Sequence, residues 1–300
     1  MQALWMVLSS LFFASMGVCI KYASVHFNNA ELLCYRGMIG MLFMAAYAHA
    51  RGTSLRTRYP AMHAWRSVVG VFSMAAWFYA ISHLPLATAM TLNYMSSVWI
   101  ATFLVGGALM LGRSGEKGPK QGPLVLAILT SFVGVILLLR PAVDQNQSFV
   151  AVIGLLSGLG AAFAYMQVMA MARLGEPEAR TVFYFAVGTM LAGALGMLFL
   201  GVSSWTWKQA LWMLPLGILA SLGQLTMTKA YSMAAHHGGT LMVANLQYCG
   251  IVFAAIYSLI LFGDNIPLLG WVGMALIVGS AIAATILRAR AAPNAPAEEH

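Results

Sequence analysis

The chain has 300 residues, 61% of them hydrophobic and only 8% charged, with a mean hydropathy of +0.81 and a net charge of +8. Soluble domains carry about 25% charged residues, so a water-soluble globular class is excluded. The expected fold class is an all-α integral membrane protein.

A bilayer-crossing helix needs about 20 apolar residues. Apolar runs between charged or Pro/Gly-rich breaks give ten candidate spans, at 3–22, 32–50, 64–83, 86–111, 122–140, 150–172, 181–201, 209–233, 239–262 and 267–287. The first lacks a basic leader and is long for a signal peptide, so it reads as a retained span. Only His83-Leu84-Pro85 separates the third span from the fourth. A tight hairpin is expected there, because proline removes a donor and disfavours helix in the residue before it.

The positive charge reports orientation and no nucleic-acid partner. With a cytoplasmic N-terminus, Arg51, Arg56, Arg58, Arg66, Arg113, Lys117, Lys120, Arg173, Arg180, Arg288 and Arg290 fall inside. Lys21, Arg36, Arg140 and Lys208 fall outside, and Lys229 lies near the inner end of the eighth span. This is the positive-inside bias, and it puts both termini in the cytoplasm.

The stretch from Pro85 to Leu104, which makes up most of the fourth span, has no charge but holds Thr88, Thr91, Asn93, Tyr94, Ser96, Ser97 and Thr102. At about 100° per residue the threonines fall on one face, and Asn93, Ser96 and Ser97 on the other. Such a helix belongs inside a bundle, between neighbours and a wet cavity. The run from Thr240 to Phe262 repeats the device with Asn245, Gln247 and Tyr248. Two such helices at matching places in two halves point to a solute path between repeats.

The expected organisation is therefore a first five-helix repeat over 1–141, a linker over 142–149, a second and inverted five-helix repeat over 150–288, and a disordered tail over 289–300. Tyr79-Ala80-Ile81-Ser82 followed by Asn93 parallels Lys229-Ala230-Tyr231-Ser232 followed by Asn245. An odd number of spans per half forces the inversion.

The runs LFGDNIPLLGWVGMALIVGSAIA (261–283), GVILLLRP (134–141) and ISHLPLATAMTLNYMSS (81–97) resemble signatures of the EamA-type drug/metabolite transporters. Within that family, the length, tail and aromatic interior are most similar to the YddG-type bacterial amino-acid exporters. The resemblance implies ten spans in two repeats, and export of small metabolites, amino acids foremost. It implies a multi-pass protein of the bacterial cytoplasmic membrane, with a possible substrate or helix-end contact at Lys21. The sequence departs from the family where Arg113 replaces a usual Glu, and where the prolines of the fourth and ninth helices are absent around Ser97 and Tyr248, so those helices are expected to bend differently.

The expected substrate-binding set is Trp77, Tyr79, Asn93, Tyr94, Ser97, Tyr165, Gln224, Asn245, Gln247 and Tyr248. These aromatic and amide groups make an uncharged path with apolar walls and polar handles. Packing and interhelical hydrogen bonds are the alternative reading for each. Glu31 and Arg36 are expected to pair with Lys21, and His83 and His236-His237 to lie in matching loops. No carboxylate stands at the centre of a span, which argues against proton relays and cationic solutes. Gly115 to Gly122 has the wrong spacing for a phosphate loop. Cys19, Cys34 and Cys249 show no metal-ligand spacing. No cofactor and no metal are expected. An exchanger of phosphorylated or nucleotide sugars needs central cations, for which only Lys21 and Lys229 are candidates. A membrane-embedded enzyme lacks its motifs. The oligomeric state is open, a monomer being compatible.

Overall fold

A computed structural model describes residues 2–100, 102–103, 126, 129–130, 133–134, 136–137, 147–204, 206–237 and 240–291. The described elements are helices: α1 (Gln2–Ala23), α2 (Asn29–Ala50), α3 (Pro60–His83), α4 (Leu86–Tyr94), α5 (Ser148–Arg173), α6 (Glu178–Leu200), α7 (Trp207–Ala210), α8 (Met213–His237), α9 (Thr240–Leu246), α10 (Cys249–Leu261) and α11 (Leu268–Ala291). Six stretches among the described residues are long and apolar enough to cross a membrane: Gln2–Ala23, Pro60–His83, Ser148–Arg173, Glu178–Leu200, Trp207–Ala234 and Val243–Leu261. Most of the expected fifth span, the loop 114–121 and most of the linker lie outside the described residues, as does the tail beyond residue 291.

Local chemistry sets the helix ends. Asn28 and Glu31 close a capping box on α2: Asn28 Oδ1 accepts the Glu31 N–H at 3.0 Å, and Glu31 Oε2 accepts the Asn28 N–H at 2.9 Å. Pro60 opens α3 at the first helical turn, where its missing N–H leaves nothing unsatisfied. Leu84 is extended, at φ −112 and ψ 162, as the residue before Pro85 should be. The hairpin between the third and fourth spans therefore forms where the sequence places it.

The fourth and ninth spans are each interrupted. α4 stops at Tyr94, Met95 makes a turn, and helix resumes at Ser96; α9 stops at Leu246, Gln247 and Tyr248 make a turn, and α10 begins at Cys249. Both spans were expected to be single helices, and both break without a proline. Carbonyls near the second break are taken up by side chains from elsewhere. Ser97 donates to the Ala244 carbonyl at 2.7 Å, and Ser10 lies 3.3 Å from that of Gln247. A broken ladder in an apolar core stands only where such donors satisfy it. Thr91 and Thr102 bond back to the carbonyls of Ala87 and Val98, so these threonines present no polar face to a neighbour.

Packing pairs α2 with α6, α1 with α8, and α3 with α5, with α4 against α5 and α10 against both α1 and α4. At the α2–α6 crossing a Cβ on Gly37 would overlap the Met190 backbone nitrogen, and one on Gly193 that of Cys34. Only glycine allows two helices so close. The α1–α8 and α3–α5 contacts share a device, a serine hydroxyl donating across the crossing: Ser9 to the Gly223 carbonyl at 2.8 Å, and Ser73 to the Ser157 carbonyl at 2.7 Å.

Candidate functional site

A narrow cavity lies in the middle of this packing. It is lined by Phe13 of α1; Arg66, Gly70, Ser73, Met74 and Trp77 of α3; Asn93 and Tyr94 of α4; Ala161, Ala164 and Tyr165 of α5; Phe185 of α6; and Gln224 of α8. Its volume is about 30 Å³. One water needs roughly 10–15 Å³, so this conformation has room for a water or two and none for a metabolite.

Of the residues expected at the site, Trp77, Asn93, Tyr94, Tyr165 and Gln224 come together here. Trp77 meets Phe13 edge-on, with ring centroids 6.0 Å apart. Asn93 donates to Ser157 Oγ at 3.1 Å, so it both lines the cavity and ties α4 to α5. Tyr94 lies over Gly250, where a Cβ would meet its hydroxyl at 2.5 Å. Tyr165 stacks on Tyr231 at 5.4 Å.

The other expected residues are placed elsewhere. Tyr79 faces His83, their ring centroids 4.3 Å apart. Ser97 holds the Ala244 carbonyl, and the Gln247 amide donates to the Tyr231 hydroxyl. Tyr248 is buried at the turn between α9 and α10, and Asn245 is half-buried on α9. None of these five is among the lining residues. Lys21 does not pair with Glu31 or Arg36. It bonds Asp264 at 2.8 Å, packs over the Phe262 ring and points its Nζ at the Leu84 carbonyl, 3.4 Å away. Glu31 is occupied by its cap and by Ser203, whose N–H and hydroxyl it accepts at 2.9 and 2.7 Å.

The expectation of an uncharged path is corrected by two arginines. Arg66 was assigned to the cytoplasmic surface, yet it is 2% exposed and lines the cavity. Arg36 was placed on the outer side with a pairing to Lys21 expected, yet it is 3% exposed and reaches Thr189 instead. Arg66 lies over the Phe185 ring, 4.1 Å from its centroid, and Arg36 is 5.3 Å from the same ring. Their polar contacts are neutral and long: Arg66 Nη2 to Gln224 Oε1 at 3.5 Å, and Arg36 Nη1 to Thr189 Oγ1 at 3.3 Å. Among the described residues, Arg66 Nε and Nη1, Arg36 Nε, Trp77 Nε1 and the Tyr94 hydroxyl have no hydrogen-bond partner.

The bundle's connections gather in two polar clusters. In one, Glu176 accepts from Thr57 at 2.7 Å, from His63 Nε2 at 2.8 Å and from Arg180 at 2.9 Å, while Arg180 also donates to the Ser54 carbonyl at 2.7 Å. This joins the α2–α3 connection to the α5–α6 connection. In the other, Lys21–Asp264 joins the end of α1 to the α10–α11 connection, and Glu31–Ser203 joins the start of α2 to the α6–α7 connection.

Residues 1–140 match the EamA-like transporter family. The pseudopaline exporter CntI of Pseudomonas aeruginosa is 30% identical over 277 residues, covering 92% of this chain and 93% of that protein. The chain belongs to the EamA-like transporter family. The riboflavin transporter of Vibrio cholerae is 25% identical, covering 92% of this chain and 90% of its own length. A solved crystal structure at 21% identity superposes with a TM-score of 0.66, over 96% of this chain and 98% of that one. That likeness shows a shared fold over nearly the whole chain. The arginines were missed because a charge count along the sequence takes every basic residue to be at a surface. A legible signal was present in Gly70, four residues on and so on the same face of the helix.

Proposed function

We propose that this EamA-like transporter moves small zwitterionic metabolites, amino acids foremost, across the bacterial cytoplasmic membrane by alternating access. In this reading it has ten spans in two inverted five-helix repeats, with both termini cytoplasmic. The observation that carries it is the cavity, whose walls come from α1, α3 and α4 of the first half and α5, α6 and α8 of the second. Exchanging the halves turns the α1–α8 pairing into α5–α3, and leaves α2–α6 paired with itself. Such reciprocity is what an inverted repeat produces, and binding sites of such transporters lie at the repeat interface. A cavity with room for only a water or two must widen to take a solute, and the two polar clusters stand where opening on either side would part them.

Aromatic walls suit an apolar side chain, and Asn93 and Gln224 offer amide groups to an ammonium. The relatives named for pseudopaline and riboflavin support export or transport of small organic molecules by this chain. A second reading, phosphorylated or nucleotide sugars, gains support from Arg66, the inward cation the sequence reading lacked. Purified protein in liposomes, given labelled amino acids in one arm and sugar phosphates in another, separates them. Flux of amino acids is expected. Flux of sugar phosphates alone would replace the first reading with the second, and flux of neither overturns both.

A further inference from the structure

Arg66 does not behave as a surface arginine. Side chains on a helix lean toward its N-terminus, so a residue in the second turn of α3 has an easy path back past Pro60 to the interface, the usual snorkelling route. Its guanidinium goes the other way. It lies beside Gly70, one turn deeper, where a Cβ would overlap Nη1 and would stand 2.8 Å from Phe185 Cε2. The room glycine leaves is filled by the charged group.

The buried acids among the described residues are all engaged away from this point: Glu176 with His63, Thr57 and Arg180, and Glu31 with Asn28 and Ser203. Asp264, half-buried, pairs with Lys21. No ion pair reaches Arg66 or Arg36 among the described residues. A scaffold charge inside a membrane protein is normally paired, and a guanidinium offers five donors that match a carboxylate in bidentate fashion. Two such cations beside one phenylalanine ring repel each other and leave an anion's place unfilled.

Resting on the transport reading above, we propose that the solute of this cavity is recognised through a carboxylate, which the Arg66 guanidinium binds. Arg36, which does not line the cavity, adds positive potential from behind Phe185. A phosphate dianion needs several cations at the contact, and one guanidinium on the wall fits a carboxylate better. Trp77, Phe13 and Phe185 then hold the apolar remainder of the solute.

The test uses ligands that share a ring and differ in this group: tryptophan, tryptophanamide and tryptamine, with glutamate, glutamine and glucose 6-phosphate alongside. Each is measured for flux in liposomes and for its shift of the melting temperature in detergent. Carboxylates are expected to move and to stabilise the protein, and the amide and amine to do neither. Arg66→Gln should lower carboxylate flux about tenfold or more, the scale of one charge-assisted hydrogen bond. Gly70→Ala, which displaces the guanidinium without removing it, should do the same, and Arg66→Lys should recover part. Tryptamine and tryptophan moving equally well, or glucose 6-phosphate moving in preference to both, would overturn the carboxylate while leaving transport intact. Flux of no compound would sink the transport reading and this inference with it. The wild-type comparison decides even if a variant fails to fold.

Discussion

His63 Nε2 donates to Glu176 Oε1 across 2.8 Å, with both side chains only 3% exposed. The pair joins the start of α3 to the connection between α5 and α6, and it holds the two sequence halves together at one end of the bundle.

This contact makes the protein sensitive to acid. Burial raises the Glu176 carboxyl, but the hydrogen bonds from His63 and Thr57 and the charge of Arg180 outweigh it and hold the group below its ordinary value. A depressed carboxyl contributes stability that is complete above the unfolded value, roughly 4.3, and is lost as pH falls through the lower folded one. The melting temperature should therefore be flat from neutral pH down to about pH 5 and drop below about pH 4. Glu176→Gln should cost about 2 kcal/mol at neutral pH and flatten the acid limb. An unchanged limb in that variant would assign the acid sensitivity to another carboxylate.

The α2–α6 crossing should tolerate no side chain. Gly37→Ala or Gly193→Ala drives a methyl into backbone atoms that cannot rotate away, and a cost of about 1–3 kcal/mol is expected. Gly52, at φ 64 with nothing within 4 Å, is the control: Gly52→Asn tolerates the left-handed backbone and should melt within about 0.5 kcal/mol of wild type. Equal melting of the crossing and control variants would contradict the close approach.

Asn93 and Ser97 lie on the same span but should respond differently. Ser97→Ala frees the Ala244 carbonyl near the second break, so stability should fall by about 1 kcal/mol with flux per folded molecule preserved. Asn93→Ala loses the bond to Ser157 and also a group on the cavity wall, so stability and flux should both fall. Preserved flux in Asn93→Ala would move that residue from the site to the scaffold.

Coupling to a pH gradient is not expected. The buried acids Glu31 and Glu176 stand at helix ends, each held by partners, and no described carboxylate lines the cavity. Flux should follow the solute gradient and change little when the pH difference is collapsed at constant voltage. Uphill accumulation driven by an imposed pH step would refute this.

Much of the interior was legible because its signals are local. A charge-free span with Asn93, Ser96 and Ser97 on one face had to be inside the bundle, and Asn93 is there. Pro85 fixed the hairpin through its effect on Leu84. Pairings across the chain were not legible: Lys21 and Asp264 lie 243 residues apart, and nearby Glu31 was the plausible but wrong partner. The same limit took Gln247 to Tyr231 instead of the cavity, since periodicity tells which face is polar and not what the face meets. Arg66 was hidden by the assumption that a basic residue near a helix start turns outward. Gly70, four residues on and so on the same face, was the signal against it.

The two buried guanidiniums are also charges within the membrane's electric field. Arginine stays protonated in proteins, and moving one elementary charge through the full membrane potential is worth about 2.3 kcal/mol per 100 mV. In a carrier working by alternating access, the reorientation of an empty cavity takes Arg66 and Arg36 through some fraction of that field, whereas a bound solute of net negative charge cancels part of theirs. Empty and loaded forms then feel voltage unequally. The return of the empty carrier becomes the step on which the potential acts most strongly, so membrane voltage would set the turnover of this protein even where it leaves the binding of solute untouched.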